Sequence, residues 1–74
     1  MLRDLTPREA AVYDALKAAP GRVLSREQLV RIAGLGDLSD RRVDSVLVGL
    51  RAALGSDSII TVRSRGWRLR GEDD

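Results

Sequence analysis

The sequence predicts a mainly α fold closed by one small C-terminal β-hairpin. Three observations predict it. Two helix-start signatures, Thr6-Pro7-Arg8-Glu9 and Ser25-Arg26-Glu27-Gln28, each pair a hydroxyl cap with Glu or Gln three residues on. A third segment carries Val43, Leu47, Leu50 and Leu54 at spacings of four, three and four, which is the period of a helix. After Gly55 the period changes to two, around the turn-forming triplet Ser64-Arg65-Gly66.

The first helix starts at Thr6, with Pro7 at its first position and Glu9 completing the cap. Leu5, Val12, Leu16 and Ala19 fall near one face, with Tyr13 beside them. Pro20 cannot continue this helix, and Gly21 permits the turn. Val23 and Leu24 form a short extended pair. The second helix follows Ser25 and holds Leu29, Val30, Ile32 and Ala33 until the stretch GLGDLS breaks it. Asp40 or Ser39 caps the third helix, which runs to about Leu54 and stops at Gly55. In the last segment Ile60 and Val62 point one way and Thr61 and Arg63 the other. Trp67 to Arg70 returns as the second strand.

Composition narrows the function. With 74 residues the chain holds one domain, assigned to residues 1–70, and the acidic stretch 71–74 is expected to be a disordered tail. Cysteine and histidine are both absent, so thiolate chemistry, the commonest general base and the commonest zinc ligand are missing. No acid–base pair or activated nucleophile stands out, and neither an enzyme nor a cofactor is expected. No apolar run approaches the ~18 residues of a membrane span, so the expectation is a soluble cytoplasmic domain without a membrane partner. The net charge of +2 is unevenly spread: residues 39–70 carry seven arginines against Asp40, Asp44 and Asp57. Four of those arginines surround the single tryptophan in RSRGWRLR, residues 63–70. Cationic side chains on a hairpin tip suit phosphates or a narrow, electronegative minor groove.

Three helices followed by a hairpin is the order of a winged helix-turn-helix. In such folds the third helix enters the major groove, and the hairpin, or wing, reaches the adjacent minor groove or backbone. Two segments carry a more specific signal: LTPREAAVYDALKAAPGRVLSREQL near the start, then RRVDSVLVGLRAALG and IITVRSRGWRL. Together they resemble the OmpR/PhoB-type winged-helix DNA-binding domain of bacterial response regulators, from Leu5 to Leu69. The resemblance implies a transcription regulator that binds double-stranded DNA with its third helix as recognition helix. It places Arg41, Arg51, Thr61, Arg63 and Trp67 where family members contact DNA, with Arg65 at the wing tip. It also implies a further partner, RNA polymerase or another protein, through the loop between the second and third helices. A second copy on a neighbouring half-site is expected because the weak centre of the third helix needs linkage to bind usefully.

The chain departs from that pattern in several places. Val46, Val48 and Gly49 occupy positions where the family often carries histidine and arginines. Base readout should therefore shift toward Arg42, Ser45 and contact of Val48 with thymine methyl groups. An alternative use follows, a protein-binding face made of Val46, Val48 and Gly49. The loop before the third helix is shorter than usual and lacks a tryptophan, and Trp67 stands where tyrosine is more common. Ala10 replaces a common phenylalanine. Most of the family's N-terminal sheet is missing, with only LRDL at residues 2–5 standing where its last strand would be, as in a C-terminal domain excised from a longer regulator. Asp44, a carboxylate close to a DNA-facing surface, is expected to pair with a nearby arginine.

Overall fold

Local sequence sets the helix boundaries. The computed structural model describes residues 4–70, so the acidic tail at 71–74 and the first half of the LRDL segment lie outside the described residues. Helix α1 spans Pro7–Ala18, α2 Arg26–Ala33 and α3 Asp40–Leu54. Strands β1 (Ile59–Val62) and β2 (Gly66–Leu69) form the hairpin, the one sheet among the described residues.

Both capping boxes are made in full. The Thr6 backbone N–H donates to Glu9 Oε1 at 3.0 Å and the Glu9 N–H returns a bond to Thr6 Oγ1 at 3.2 Å. Ser25 and Gln28 repeat the exchange at 2.9 and 3.1 Å. Each box satisfies two of the backbone donors that a helix start leaves without an intrahelical acceptor. Of the two cap candidates for α3, Ser39 takes the role, accepting from the Arg42 N–H at 3.3 Å, while Asp40 is the first helical residue.

The core is built from Val12, Ala15 and Leu16 of α1, Leu29 of α2, and Val43, Leu47 and Leu50 of α3, joined by Leu24, Leu35 and Ile59. Three positions differ from the sequence expectation. Ala53, not Leu54, completes the fully buried stripe of α3, and Leu54 is only half-buried. Ile59, one residue ahead of the expected alternation, is the strand residue sunk in the core. Leu35 is 1% exposed although it lies in the stretch that breaks α2. Gly34, left-handed at φ 70°, turns the chain back so that the Leu35 N–H reaches the Val30 carbonyl at 2.9 Å. The turn thus plants an apolar side chain instead of exposing it. Ile32, in contrast, is 58% exposed.

The hairpin pairs Ile59 with Leu69, Ile60 with Arg68, Thr61 with Trp67 and Val62 with Gly66. Alternation puts Ile59, Thr61, Trp67 and Leu69 on one face, the face that carries the buried Ile59. The second strand starts at Gly66, not Trp67. A third extended segment docks beside it: the Leu24 N–H donates to the Trp67 carbonyl at 2.8 Å, and the Trp67 N–H to the Leu24 carbonyl at 2.9 Å. The wing is therefore sewn to the connection between α1 and α2 by main-chain bonds.

Candidate nucleic-acid interface

Helical geometry sorts the expected contact residues of α3 into three groups. At ~100° per residue, Asp44 and Arg51, seven apart, fall on one flank. Arg41, Ser45 and Val48 form the outward face, and all three are exposed. Arg42 and Val46 fall on the opposite flank, where they line a groove with Thr6, Pro7 and Arg8 of the α1 start and Leu38 of the preceding loop.

The Asp44/Arg51 flank faces the wing. Arg26, the first residue of α2, makes a two-pronged ion pair with Asp44, Nε to Oδ1 and Nη2 to Oδ2, both at 2.9 Å. Its guanidinium carbon also stands 5.7 Å from the centroid of the Trp67 ring. The hydrogen bond to Asp44 raises the Arg26 pKa above the ordinary guanidinium value, against the opposing pull of desolvation. Two turns further along α3, Arg51 Nη2 donates to Thr61 Oγ1 at 2.6 Å. Thr61 and Trp67 are direct cross-strand partners, so both struts end on the same rung of the hairpin. Helix α3 and the wing are thereby fixed to one another at two points. The Asp44 carboxylate is neutralised at the seam by its two-pronged pair with Arg26.

Trp67 packs against the core while remaining half-exposed, which suits a plate between wing and helices. At the tip, Arg63, Ser64 and Arg65 are exposed, and Ser64 adopts a left-handed φ of 65°. Among the described residues, no ion pair or side-chain hydrogen bond engages the guanidinium groups of Arg41, Arg42, Arg63 or Arg65. The arginines Arg8, Arg26 and Arg70 are instead matched to Asp37, Asp44 and Asp57.

Several sequence expectations are refined by this geometry. Arg51 and Thr61 hold each other, and Arg51 retains four of its five N–H donors for another acceptor. The Ser45 hydroxyl donates to the Arg41 carbonyl at 3.0 Å, so toward a base edge it offers an acceptor, not a donor. Val46 and Val48 do not share a face. Val46 leans on the core and lines the α1 groove, whereas Val48 is 70% exposed. The continuous apolar face of Val46, Val48 and Gly49 expected for protein binding is therefore not formed, because residues two positions apart on a helix point ~200° apart around its axis. The loop before α3 is tied down by the buried Leu35 and by an Arg8–Asp37 ion pair at 2.9 Å. Sequence reasoning missed Arg26: within the capping box it reads as a helix-start residue, and its strut role exists only once α3 and the wing converge on it. No group of three His, Cys, Asp or Glu residues able to hold a metal ion occurs among the described residues. No helix among them is long and apolar enough to cross a membrane.

Three helices and a hairpin strapped to the third helix define a winged helix-turn-helix domain. Comparison with known proteins identifies which one. The family model described as "Transcriptional regulatory protein, C terminal" matches residues 3–69, and the chain belongs to that family, the OmpR/PhoB-type DNA-binding domains. It is 43% identical over 68 residues to the transcriptional regulatory protein CseB of Streptomyces coelicolor, and equally to CseB of Streptomyces avermitilis. The match covers 89% of the chain but 29% of each relative's length. Among solved structures, the DNA-binding domain of the response regulator AdeR, determined in complex with an intercistronic region, superposes with a TM-score of 0.82. Its identity is 29%, over 96% of this chain and 76% of that one. The C-terminal domain of the nisin resistance regulator NsrR gives 0.81 at 27% identity, over 93% and 76%. The DNA-binding domain of E. coli CadC gives 0.82 at 25%, over 92% and 70%.

Proposed function

We propose that this domain binds double-stranded DNA as the effector part of a bacterial response regulator in the cytoplasm, with α3 in the major groove and the wing on the minor groove or backbone. The observation that carries the reading is the pair of struts, Arg26 to Asp44 and Trp67, and Arg51 to Thr61. They hold a helix face and a hairpin tip as one surface, and among the described residues Arg41, Arg42, Arg63 and Arg65 on that surface have no carboxylate partner. Arg41 at the start of α3 and Arg42 beside it supply the long donors for base edges, while Arg63 and Arg65 supply phosphate contacts. Val48 offers methyl groups to thymine, and Ser45 an acceptor to an exocyclic amine. Trp67 positions the wing.

Because the centre of the outward face is apolar or small, a single copy binds weakly. Useful occupancy comes from a second copy on a neighbouring half-site, where linkage multiplies two weak contacts. The test is fluorescence anisotropy of a labelled duplex as salt is varied. A DNA-binding surface of this kind loses affinity linearly on a log–log scale, with a slope near −0.9 per phosphate contact. Absence of any salt-dependent binding would remove the reading.

A further inference from the structure

We infer that Arg22, in the turn between α1 and α2, joins Arg65 of the wing in a second phosphate-binding site, beyond the helix–wing surface. The inference rests on the DNA-binding reading and extends its footprint.

Arg22, Val23 and Arg65 line a shared open concavity of about 510 Å³. Among the described residues no acidic one lines it, and both arginines are exposed. Neither guanidinium has an ion pair or side-chain hydrogen bond among the described residues. Elsewhere on this surface aspartates neutralise the arginines they meet, at Asp37, Asp44 and Asp57. Two like charges brought to one hollow repel each other in the free protein, and that repulsion is relieved when an anion enters.

The backbone holds the two sides of the hollow in place. The Arg22 N–H donates to the Ala19 carbonyl at 3.1 Å, closing the turn after α1. Two residues on, Leu24 exchanges both main-chain bonds with Trp67, and the wing backbone at Gly66 presses on the Leu24 carbonyl. Arg22 is thus carried on a segment stitched to the wing, not on a free loop. Arg65 also lines a second concavity, with Ser25, Arg26, Thr61, Ser64 and Trp67. A backbone strand lying across the wing can therefore meet Arg65 in the hollow it shares with Arg26 and pass on to Arg22. Guanidinium groups present donors and no acceptor, in a fork that fits phosphate oxygens, so the ligand chemistry is a phosphodiester.

The experiment measures binding of the 74-residue chain to a random-sequence duplex across salt, for wild type, Arg22→Ala, Arg22→Lys, Arg65→Ala and Arg31→Ala. Arg31 is an exposed α2 arginine outside the hollow. Removing one phosphate contact lowers the magnitude of the salt slope by about 0.9, so wild type outbinds Arg22→Ala by a ratio that shrinks about 3.5-fold between about 50 and 200 mM salt. The expected result is that loss in Arg22→Ala, retention in Arg22→Lys, an unchanged slope in Arg31→Ala and an unchanged melting temperature in all three. A wild-type slope in Arg22→Ala beside a reduced one in Arg65→Ala would overturn this site and leave the wing reading standing. An equal loss in Arg31→Ala would overturn it too, by showing a diffuse charge effect. If wild type shows no salt-dependent binding, the site and the DNA-binding reading fall together.

Discussion

Gly66 adopts φ 143°, a conformation L side chains rarely take, and a Cβ there would collide with the Leu24 carbonyl and lie within 2.9 Å of the Ser25 Cα. Both objects are backbone, held by the Leu24–Trp67 exchange, so the neighbour cannot give way cheaply. Gly66→Ala is expected to destabilise the domain by about 2–3 kcal/mol, measurable in urea unfolding, because positive-φ strain alone costs about 1–3 kcal/mol. A wild-type midpoint would mean that the wing does not need this close approach. The Arg26–Asp44 pair makes a contrasting case. Its side chains are 39% and 45% exposed, so the coupling energy in a double-mutant cycle should be no more than about 1 kcal/mol. Its larger effect belongs to binding. Arg26→Ala leaves an unpaired carboxylate beside the phosphates and should weaken duplex affinity, while adding Asp44→Asn should recover most of the loss. If the second substitution recovers nothing, neutralising Asp44 is not what Arg26 does for DNA.

At the scale of elements, the helix starts were legible because each is a local contract between two residues three apart, Thr6 with Glu9 and Ser25 with Gln28. The strands were legible in type, since alternation survives without tertiary information. What sequence could not give is which of several apolar residues the packing selects. Ala53 is buried in place of Leu54, and Ile59 leads the strand into the core, because the approach of neighbouring elements decides the centre of a stripe. Leu35 was hidden for another reason: its segment carries two glycines and reads as a loop, and only the left-handed Gly34 turns it inward. Among the candidate contacts, the arginines of α3 and of the wing were visible as charge, whereas Arg22 and Arg26 act through partners more than 15 residues away. The wing's dependence on Trp67 is testable as an element property. Trp67→Ala removes a half-exposed plate, so the cost should be about 2–3 kcal/mol, below the ~3–5 of a fully buried aromatic. A mutant that melts like wild type would make Trp67 a surface contact instead of an anchor.

For the molecule as a whole, the struts through Arg26 and Arg51 make α3 and the wing a single surface. The distribution of charge supports that view, since among the described residues aspartates neutralise Arg8, Arg26 and Arg70 and leave Arg41, Arg42, Arg63 and Arg65 open. The apolar centre of the outward face sets the expected strength. Val48→Arg adds a cation where the side chain is 70% exposed and should tighten binding to any duplex without sharpening sequence preference. Selection from a random duplex library, run on wild type and variant in moderate salt, checks this. Tight selection of one sequence by wild-type monomer would contradict the weak-monomer expectation.

The most direct measurement is an NMR titration of the 74-residue chain with duplex DNA, following every backbone amide. If the helix–wing surface is the interface, the amides from Arg41 to Ala52 on the outward side of α3 and from Arg63 to Trp67 in the wing shift together, with one common saturation curve. Shifts confined to the exposed Ile32 side of α2, or wing and helix amides that saturate at different DNA concentrations, would contradict it.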